Sequence, residues 1–555
     1  MGADIKKLLP IGIDSFREIR ETDRYYVDKS LIIQDFIRYG DKVALITRPR
    51  RFGKTLNMTT IREFFDITKD SKDIFEGLAI MDTEHASQIN SRPVLYFTFK
   101  DCKAKTIDTL MFQIANVVLK EYAKYEKIFN DKADMSNLHY RTCSMIYEKL
   151  SSRSMDINEE LLAISIEELI QAVYEYYKVK PIVLIDEYDQ PILSCVEHGY
   201  YEELKTFFPW FYGGALKGQD CLYQALLTGI QRIAKESIFS QLNNIRVYAV
   251  TDEPYSGYFG LTTEEMEVLL PDYGLVLNEQ VKQKYDGYIF GKTEMYNPWS
   301  ALNYADTGLL ENYWLNTSTN FLIRKSVAEA GRMFQKGFDR LIADGIAEVG
   351  AELACSFFEL KHSDTLWGLL INSGYMTIVE KEVGSPFAKV RIPNGEVRSE
   401  FSKIIADSAN VDNMDLHKMF QYLLRKDMEG FIDIYRELVL SCTSYHDARE
   451  NAYHMLFLGM CISLKGLYKI TSNAEAGHGR SDIRMESLSA ERPHIIIEFK
   501  QGDDVDTLAK KALRQISEKR YYEGLSGECL LLGIAHDKKK CTAAHKTISA
   551  SLSYE

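Results

Sequence analysis

None of the nine cysteines lies at C-x-x-C spacing from another. That argues against a zinc ribbon and a disulfide framework and suits a reducing compartment. No run of about 20 apolar residues, the length a membrane helix needs, is present. The longest apolar stretch, MLFLGMCISL (455–464), is shorter and carries a serine. The opening residues, MGADIKKLLP, lack the apolar region of a secretory signal, so a cytoplasmic protein with no membrane contact is expected. There is no low-complexity tract, no Gly/Ser-rich linker and no repeat of solenoid period. Basic residues are in deficit, 67 against 80 acidic ones, for a net charge of −13. This argues against a constitutive nucleic-acid coat protein but allows a locally basic groove. What remains is an ordinary globular composition, 46% hydrophobic and 26% charged. The length suggests roughly three or four domains.

One further absence is local. KVALITRPRRFGKTLNMTTIREFF (42–65) reads as a strand, a loop and a helix, with apolar Leu56, Met58, Ile61, Phe64 and Phe65 at helical spacing. The loop ends in Gly53-Lys54-Thr55, the close of a phosphate-binding loop, but Arg48 stands where GxxxxGK[ST] has its first glycine. Backbone N–H groups at a helix start bind anions. Lys54 would reach the β- and γ-phosphates, and the Thr55 hydroxyl would hold Mg²⁺. The same fragment also fits an ordinary helix start with a buried threonine. KPIVLIDEYDQP (180–191) supplies a second strand, apolar from Ile182 to Ile185 without alternation, as in a parallel sheet covered on both faces. It ends in Asp186, placed for the Mg²⁺ shell, and Glu187, placed to polarise a water; ligands of such sheets sit at these strand ends. PVLYFTF (93–99), LYQALLT (222–228) and IRVYAV (245–250) complete a sheet. Thr228 could sense the γ-phosphate. Arg232 could touch phosphate or a neighbouring subunit's nucleotide, or be a surface arginine.

YYVDKSLII (25–33), RPRRFGKTLNM (48–58), LIDEYD (184–189), LTGIQRIAKESIFSQLNN (227–244), YFGLTTEEM (258–266), YDGYIFG and YNPWSALN (285–303) together resemble the bacterial proteins with an AAA-ATPase-like N-terminal domain. In that family RPRRFGK replaces the glycine-first loop. The resemblance implies a P-loop ATPase with an extra strand between the two nucleotide motifs. It also implies that Arg48, Pro49, Arg50, Arg51, Phe52, Gly53, Lys54 and Thr55 form the nucleotide loop, with ATP and Mg²⁺ as its ligands.

In the middle, LWGLLINSGYMTIVE (366–380) predicts a helix, a glycine turn and a strand. FAKVRIPNGEVRSEF (387–401) predicts a strand, a PNG turn and a second strand. Helix then hairpin is the outline of a winged helix, a module that binds DNA or packs between domains. YDGYIF and YNPWS read as core, or as a lid over the nucleotide.

The last 140 or so residues carry a second constellation. HDARENAYHMLFLGMCISL (446–464) reads as an amphipathic helix bearing Glu450, and GRSDIRMES (479–487) as a strand with Asp482 near its start. RPHIIIEFKQ (492–501) is a buried strand ending in Glu498-Phe499-Lys500, followed by the helix DTLAKKALRQISEKRYY (506–522) and the strand CLLLGIA (529–535). Glu498 and Lys500, two apart on a strand, share a face. Carboxylates hold a hard divalent cation through oxygen, and such a cation activates water and offsets charge on a phosphodiester. Asp482 and Glu498 would share Mg²⁺ or Mn²⁺, Glu450 would complete the shell, and Lys500 would position the nucleophile. E-x-K is also a common surface ion pair. Lys510, Lys511, Arg514, Lys519 and Arg520 on the following helix suit phosphate contacts or a solvated face.

SNAEAGHGRSDI (472–483), IIIEFK (495–500) and ALRQISEKRYY (512–522) resemble the PD-(D/E)XK nuclease superfamily, in the branch fused to the ATPase above. Ser481-Asp482 stands for the motif's Pro-Asp. Gln515 and Tyr521 resemble a Q…Y pair used near DNA in this group. The expectation is an α/β chain: a P-loop NTPase domain over 1–260, a helical and winged-helix-like region over 261–405, and a restriction-endonuclease-like α/β domain over 406–555. Its function would be ATP-gated, metal-assisted cleavage of nucleic acid, DNA first. The competing reading is a nucleotide-switched regulator that binds nucleic acid or protein without cutting. A homo-oligomer with Arg232 supplied in trans stays open.

Overall fold

Five short apolar runs become strands: β1 (Val43–Thr47), β2 (Val94–Thr98), β3 (Ile182–Asp186), β4 (Ala225–Gly229) and β5 (Ile245–Tyr248). In the computed structural model they lie side by side in the order β2-β3-β4-β1-β5, every neighbouring pair parallel. β1, β3 and β4 are buried at every residue, which explains their unbroken apolar character. β4 sits between β1 and β3, so the expected extra strand separates the strand that feeds the phosphate loop from the one that ends in the acidic pair. Parallel neighbours need long crossovers. The helices Ile107–Lys124 and Glu159–Tyr177 lie in the one from β2 to β3.

The residues described are 6–129, 136–152, 158–233, 245–314, 332–354, 362–382, 384–400, 413–441, 457, 461–464, 467–476, 479–537 and 540–550. They fall into two compact units. Met1–Leu315, Glu352–Leu360 and Gly368–Thr377 make the first; Asn316–Ala351, Lys361–Trp367 and Ile378–Glu555 make the second.

The scattered family motifs of the first unit meet through buried polar bonds. Lys29 Nζ donates to Gly257 O at 2.7 Å and to both oxygens of Glu265. Asn57 Nδ2, on the helix after the phosphate loop, donates to Tyr258 O at 2.8 Å. A hairpin, β6 (Tyr288–Phe290) with β7 (Thr293–Met295), packs its rings against Phe52, with centroids 4.8 Å away for Tyr288 and 5.1 Å for Phe290.

Farther on, β8 (Ala347–Gly350), β9 (Thr377–Glu380) and β10 (Phe387–Arg391) form a sheet in the order β8-β10-β9. The helix Ser363–Asn372, the turn at Gly374 and β9 match the sequence expectation. The strand expected after PNG does not form: residues 395–400 are helical. Asn394 caps that helix, its Oδ1 accepting from Val397 N at 3.0 Å. The signal for a hairpin turn was a helix start, because asparagine serves both.

The C-terminal sheet runs β11 (Tyr468–Ala476), β12 (Gly479–Ser487), β13 (His494–Gln501), β14 (Gly527–Asp537) and β15 (Lys540–Ala550), in that order. β13 and β14 are parallel and joined by the helix Val505–Glu518; the other pairs are antiparallel. Of the expected helix 446–464, Glu450 lies outside the described residues. Phe457 and a short 3₁₀ turn, Cys461–Leu464, are described. Among the described residues no helix is long and apolar enough to cross a membrane, and seven cysteines are unpaired.

Candidate functional sites

The register of the first sheet brings the ends of β1, β3 and β4 together: Ile46 lies opposite Thr228, and Leu227 opposite Ile185. The phosphate loop leaves β1 there. Its last turn needs a left-handed residue, and Gly53 supplies it at φ +78, opening the helix Lys54–Phe65. Lys54 is buried and its Nζ donates to the loop carbonyls Arg48 O (3.1 Å) and Pro49 O (2.9 Å). Burial holds its pKa below the ordinary lysine value against the pull of Glu187, Asp186 and Asp189.

Asp186, wholly buried, is gripped from both sides. Thr55 Oγ1 donates to Oδ2 at 2.7 Å and Thr228 Oγ1 to Oδ1 at 2.6 Å. Burial raises its pKa, as does the neighbouring charge of Glu187; the two threonine bonds oppose the shift. Glu187 takes φ +53, a strained value for a side-chain-bearing residue, and is half-buried. Arg50 Nη2 donates to Gln190 Oε1 at 3.3 Å, and burial lowers its pKa. Arg51, at φ +65, stacks its guanidinium 4.1 Å from the Trp299 ring centroid. Arg232 is exposed in the loop beyond β4.

Arg48 explains the missing glycine. Its side chain is fully buried and turned to the sheet: Nη1 donates to Thr47 O (2.8 Å), Tyr248 O (3.1 Å) and Ala249 O (2.8 Å). The guanidinium lies against the rings of Phe259 and Phe290, and burial pushes its pKa down to about 10. Arg48 therefore fastens the loop to the end of β5, while its carbonyl faces Lys54. Phe52 is likewise a buried anchor.

Several residues beyond those singled out from the sequence are part of the site. Asp189 accepts from Ile230 N and Gln231 N, both at 2.9 Å, and burial pushes its pKa up to about 6. Tyr188 OH donates to Gln231 O at 2.6 Å and accepts from Ile233 N at 3.1 Å. The end of LIDEYD thus clamps the loop beyond Thr228. The only hint in the sequence was a second aspartate three residues after the first.

In the second unit, Ile483 of β12 faces Ile497 of β13, which puts Asp482 across from Glu498. Asp482 Oδ2 accepts from Phe499 N at 2.7 Å. Lys500 Nζ donates to Glu498 Oε1 at 2.8 Å and to Phe499 O at 3.1 Å. Gln515 Nε2 donates to the same Oε1 and to Tyr521 OH, the latter at 3.1 Å. Glu498 is 2% exposed, and its other oxygen, Oε2, is buried without a hydrogen-bond partner. Burial pushes its pKa up to about 7, with Asp482 adding to the rise and Lys500 opposing it. Burial also raises Asp482. An unpartnered buried carboxylate oxygen beside a second carboxylate is a donor set that suits a hard cation. Among the described residues no group of three His, Cys, Asp or Glu side chains is assembled; the third expected ligand, Glu450, is not one of them.

Phe499 points the other way, into a cluster with Phe457, Tyr435 and His536, where Tyr435 OH and His536 Nε2 are 2.8 Å apart. Lys510, Lys511, Arg514, Lys519 and Arg520 are exposed, Gln515 is half-buried and Tyr521 is buried. Tyr521 therefore stands behind Gln515.

Residues 10–239 match the family model described as Predicted AAA-ATPase, and residues 448–546 the model described as PD-(D/E)XK nuclease superfamily. The chain is similar to the "Uncharacterized protein in vnfD 5'region" of Azotobacter chroococcum mcd 1, 26% identical over 560 residues, covering 95% of this chain and 96% of that one. A solved Walker-type ATPase of Pyrococcus abyssi aligns with 67% of this chain and 95% of its own, at 14% identity and a TM-score of 0.36. The chain joins an AAA-ATPase-like domain to a C-terminal domain of the PD-(D/E)XK nuclease superfamily.

Proposed function

We propose that the first unit binds and hydrolyses ATP and that the second cleaves nucleic acid, DNA first, with nucleotide state gating the cut. The observation that carries the reading is Glu498: one oxygen is held by Lys500 and Gln515, and the other is buried, unpartnered and beside Asp482. A buried carboxylate left so is costly unless something takes up the free oxygen. Asp482 and Glu498 would hold Mg²⁺ or Mn²⁺, with Glu450 as a third ligand. The bound cation would activate a water and offset charge on the scissile phosphate. Lys500 would orient that water and stabilise the charge that develops. Gln515, held by Tyr521, fixes the Glu498 carboxylate, and Lys511 and Arg514 would contact the phosphate backbone.

In the first unit, the N–H groups of residues 50–55 would cradle the phosphates, with Lys54 leaving Arg48 O and Pro49 O for the β- and γ-oxygens. Thr55 and Asp186 would hold the nucleotide's Mg²⁺, Glu187 would polarise the attacking water, and Thr228 would report the γ-phosphate. Arg50 and Arg51 add positive charge at the loop, and Arg232 could add more in cis or from a neighbouring copy.

The test incubates the protein with supercoiled, linear and single-stranded DNA in Mg²⁺ or Mn²⁺, with and without ATP, beside Glu498→Ala and Lys54→Ala. Metal-dependent cutting that disappears in Glu498→Ala, at a rate that ATP changes only when Lys54 is intact, supports the reading. No cutting of any substrate would leave a nucleotide-switched binding protein.

A further inference from the structure

The first unit contains a turn far in sequence from the loops that follow β1 and β4, yet it touches both of them. It comes directly after the helix Ser363–Asn372 and comprises Asn372, Ser373, Gly374 and Tyr375, buried to between 2% and 6% exposure at Asn372, Ser373 and Tyr375. Asn372 Nδ2 donates to Gln231 Oε1 at 2.9 Å, and Gln231 Nε2 donates to Ser373 Oγ at 3.3 Å. Asn372 Nδ2 also donates to Leu353 O at 2.9 Å. Gly374, at φ +84, crosses the phosphate loop so closely that a Cβ there would sit 2.9 Å from Pro49 Cβ.

Gln231 is fully buried, and its backbone is held by Asp189 and Tyr188. It stands three residues after Thr228, which holds one side of Asp186, while Thr55 holds the other. The phosphate loop is tied to the same strand end, Arg48 N donating to Gly229 O at 3.1 Å. Buried amide side chains cost free energy unless paired, so these bonds form and break together with the loops that carry them. A nucleotide with Mg²⁺ would draw Thr55 away from Asp186 and leave Thr228 as its remaining threonine partner. That rearrangement begins one residue before Gly229 and three before Gln231.

We propose that the turn Asn372–Tyr375 reads nucleotide state, with Asn372 the positioning residue that couples the loop after Thr228 to the helix Ser363–Asn372. The inference rests on the nucleotide site proposed above. From Thr377 the chain continues into the second unit, so the turn is the last element of the nucleotide core before the C-terminal part of the chain.

Hydrogen exchange of the whole protein tests it, with ADP, with a non-hydrolysable ATP analogue and without nucleotide. The phosphate loop (45–58) reports binding and the segment 366–376 reports the turn. The analogue should slow exchange in 45–58 and alter it in 366–376 by about fivefold or more, the scale of a modest coupling. In Asn372→Ala the response of 366–376 should vanish while that of 45–58 persists. Hydrolysis should fall about tenfold in kcat with KM within about twofold, the split expected of a positioning residue. Protection of 45–58 with no change in 366–376 of the wild-type protein would overturn the inference and leave the nucleotide site standing. No response in either segment would overturn both.

Discussion

Thr228 and Asp186 are joined by a 2.6 Å hydrogen bond across the ends of two adjacent parallel strands. With the Thr55 bond it occupies both carboxylate oxygens. Thr228→Val keeps the shape of the strand end and removes the donor. Nucleotide affinity should hold within about threefold while hydrolysis falls about tenfold or more, since a lost contact made in the transition state appears in kcat. Fluorescent-nucleotide titration and phosphate release separate the two effects.

Arg48→Gly would restore the usual opening of a phosphate loop, yet it should damage the protein. It empties the space between Phe259 and Phe290 and removes the hydrogen bonds that Arg48 gives to Tyr248 O and Ala249 O. A loss of about 3 kcal/mol is expected from the cavity and the lost hydrogen bonds. Arg48→Met, which fills the space without burying a charge, should lose much less. Urea denaturation of the two variants decides whether packing or hydrogen bonding dominates.

Glu498 should weaken the fold it belongs to. Its folded pKa of about 7 lies above the ordinary 4.5. The stability linked to its proton is therefore full below about pH 4.5 and is lost as pH rises through about 7. Glu498→Gln carries no such loss. At pH 8 it should be more stable by about 1–3 kcal/mol. The same change should abolish cation binding and cleavage, a trade expected where a site is built against stability.

Cation affinity should track the same ionisation. Asp482 and Glu498 would bind metal only as carboxylates, and the pKa of each is raised by burial. Mn²⁺ affinity, measured by titration calorimetry at pH 6 and pH 8, should be at least about tenfold higher at pH 8. Equal affinities would mean that Glu498 is not a ligand or that its carboxyl is already ionised at pH 6.

The runs that became β1, β3 and β4 could be found from their unbroken apolar character, because strands covered on both faces carry no polar alternation to confuse them. Glu498 and Lys500 were legible by the two-residue period of a strand, and Asp186 by its place at the end of an apolar run. The PNG turn was misread, since one asparagine side chain serves a hairpin or a helix cap according to the conformation of the next few residues. The roles of Arg48 and Gln231 were not legible. The partners of Arg48 include carbonyls about 200 residues away, and those of the Gln231 side chain lie more than 140 residues downstream.

The sequence by itself determined which segments become the strands of the first sheet and where the Gly53-Lys54-Thr55 loop and the acidic pairs fall, because these depend on periods and spacings of a few residues. Only the tertiary structure decided that Arg48 faces the sheet, that both threonines share Asp186, that Gln515 and Lys500 hold one oxygen of Glu498 and leave the other without a partner, and that a late turn packs against the loops after β1 and β4. Those outcomes depend on which buried polar groups can reach a partner once the strands are assembled, and chain distance carries no record of that.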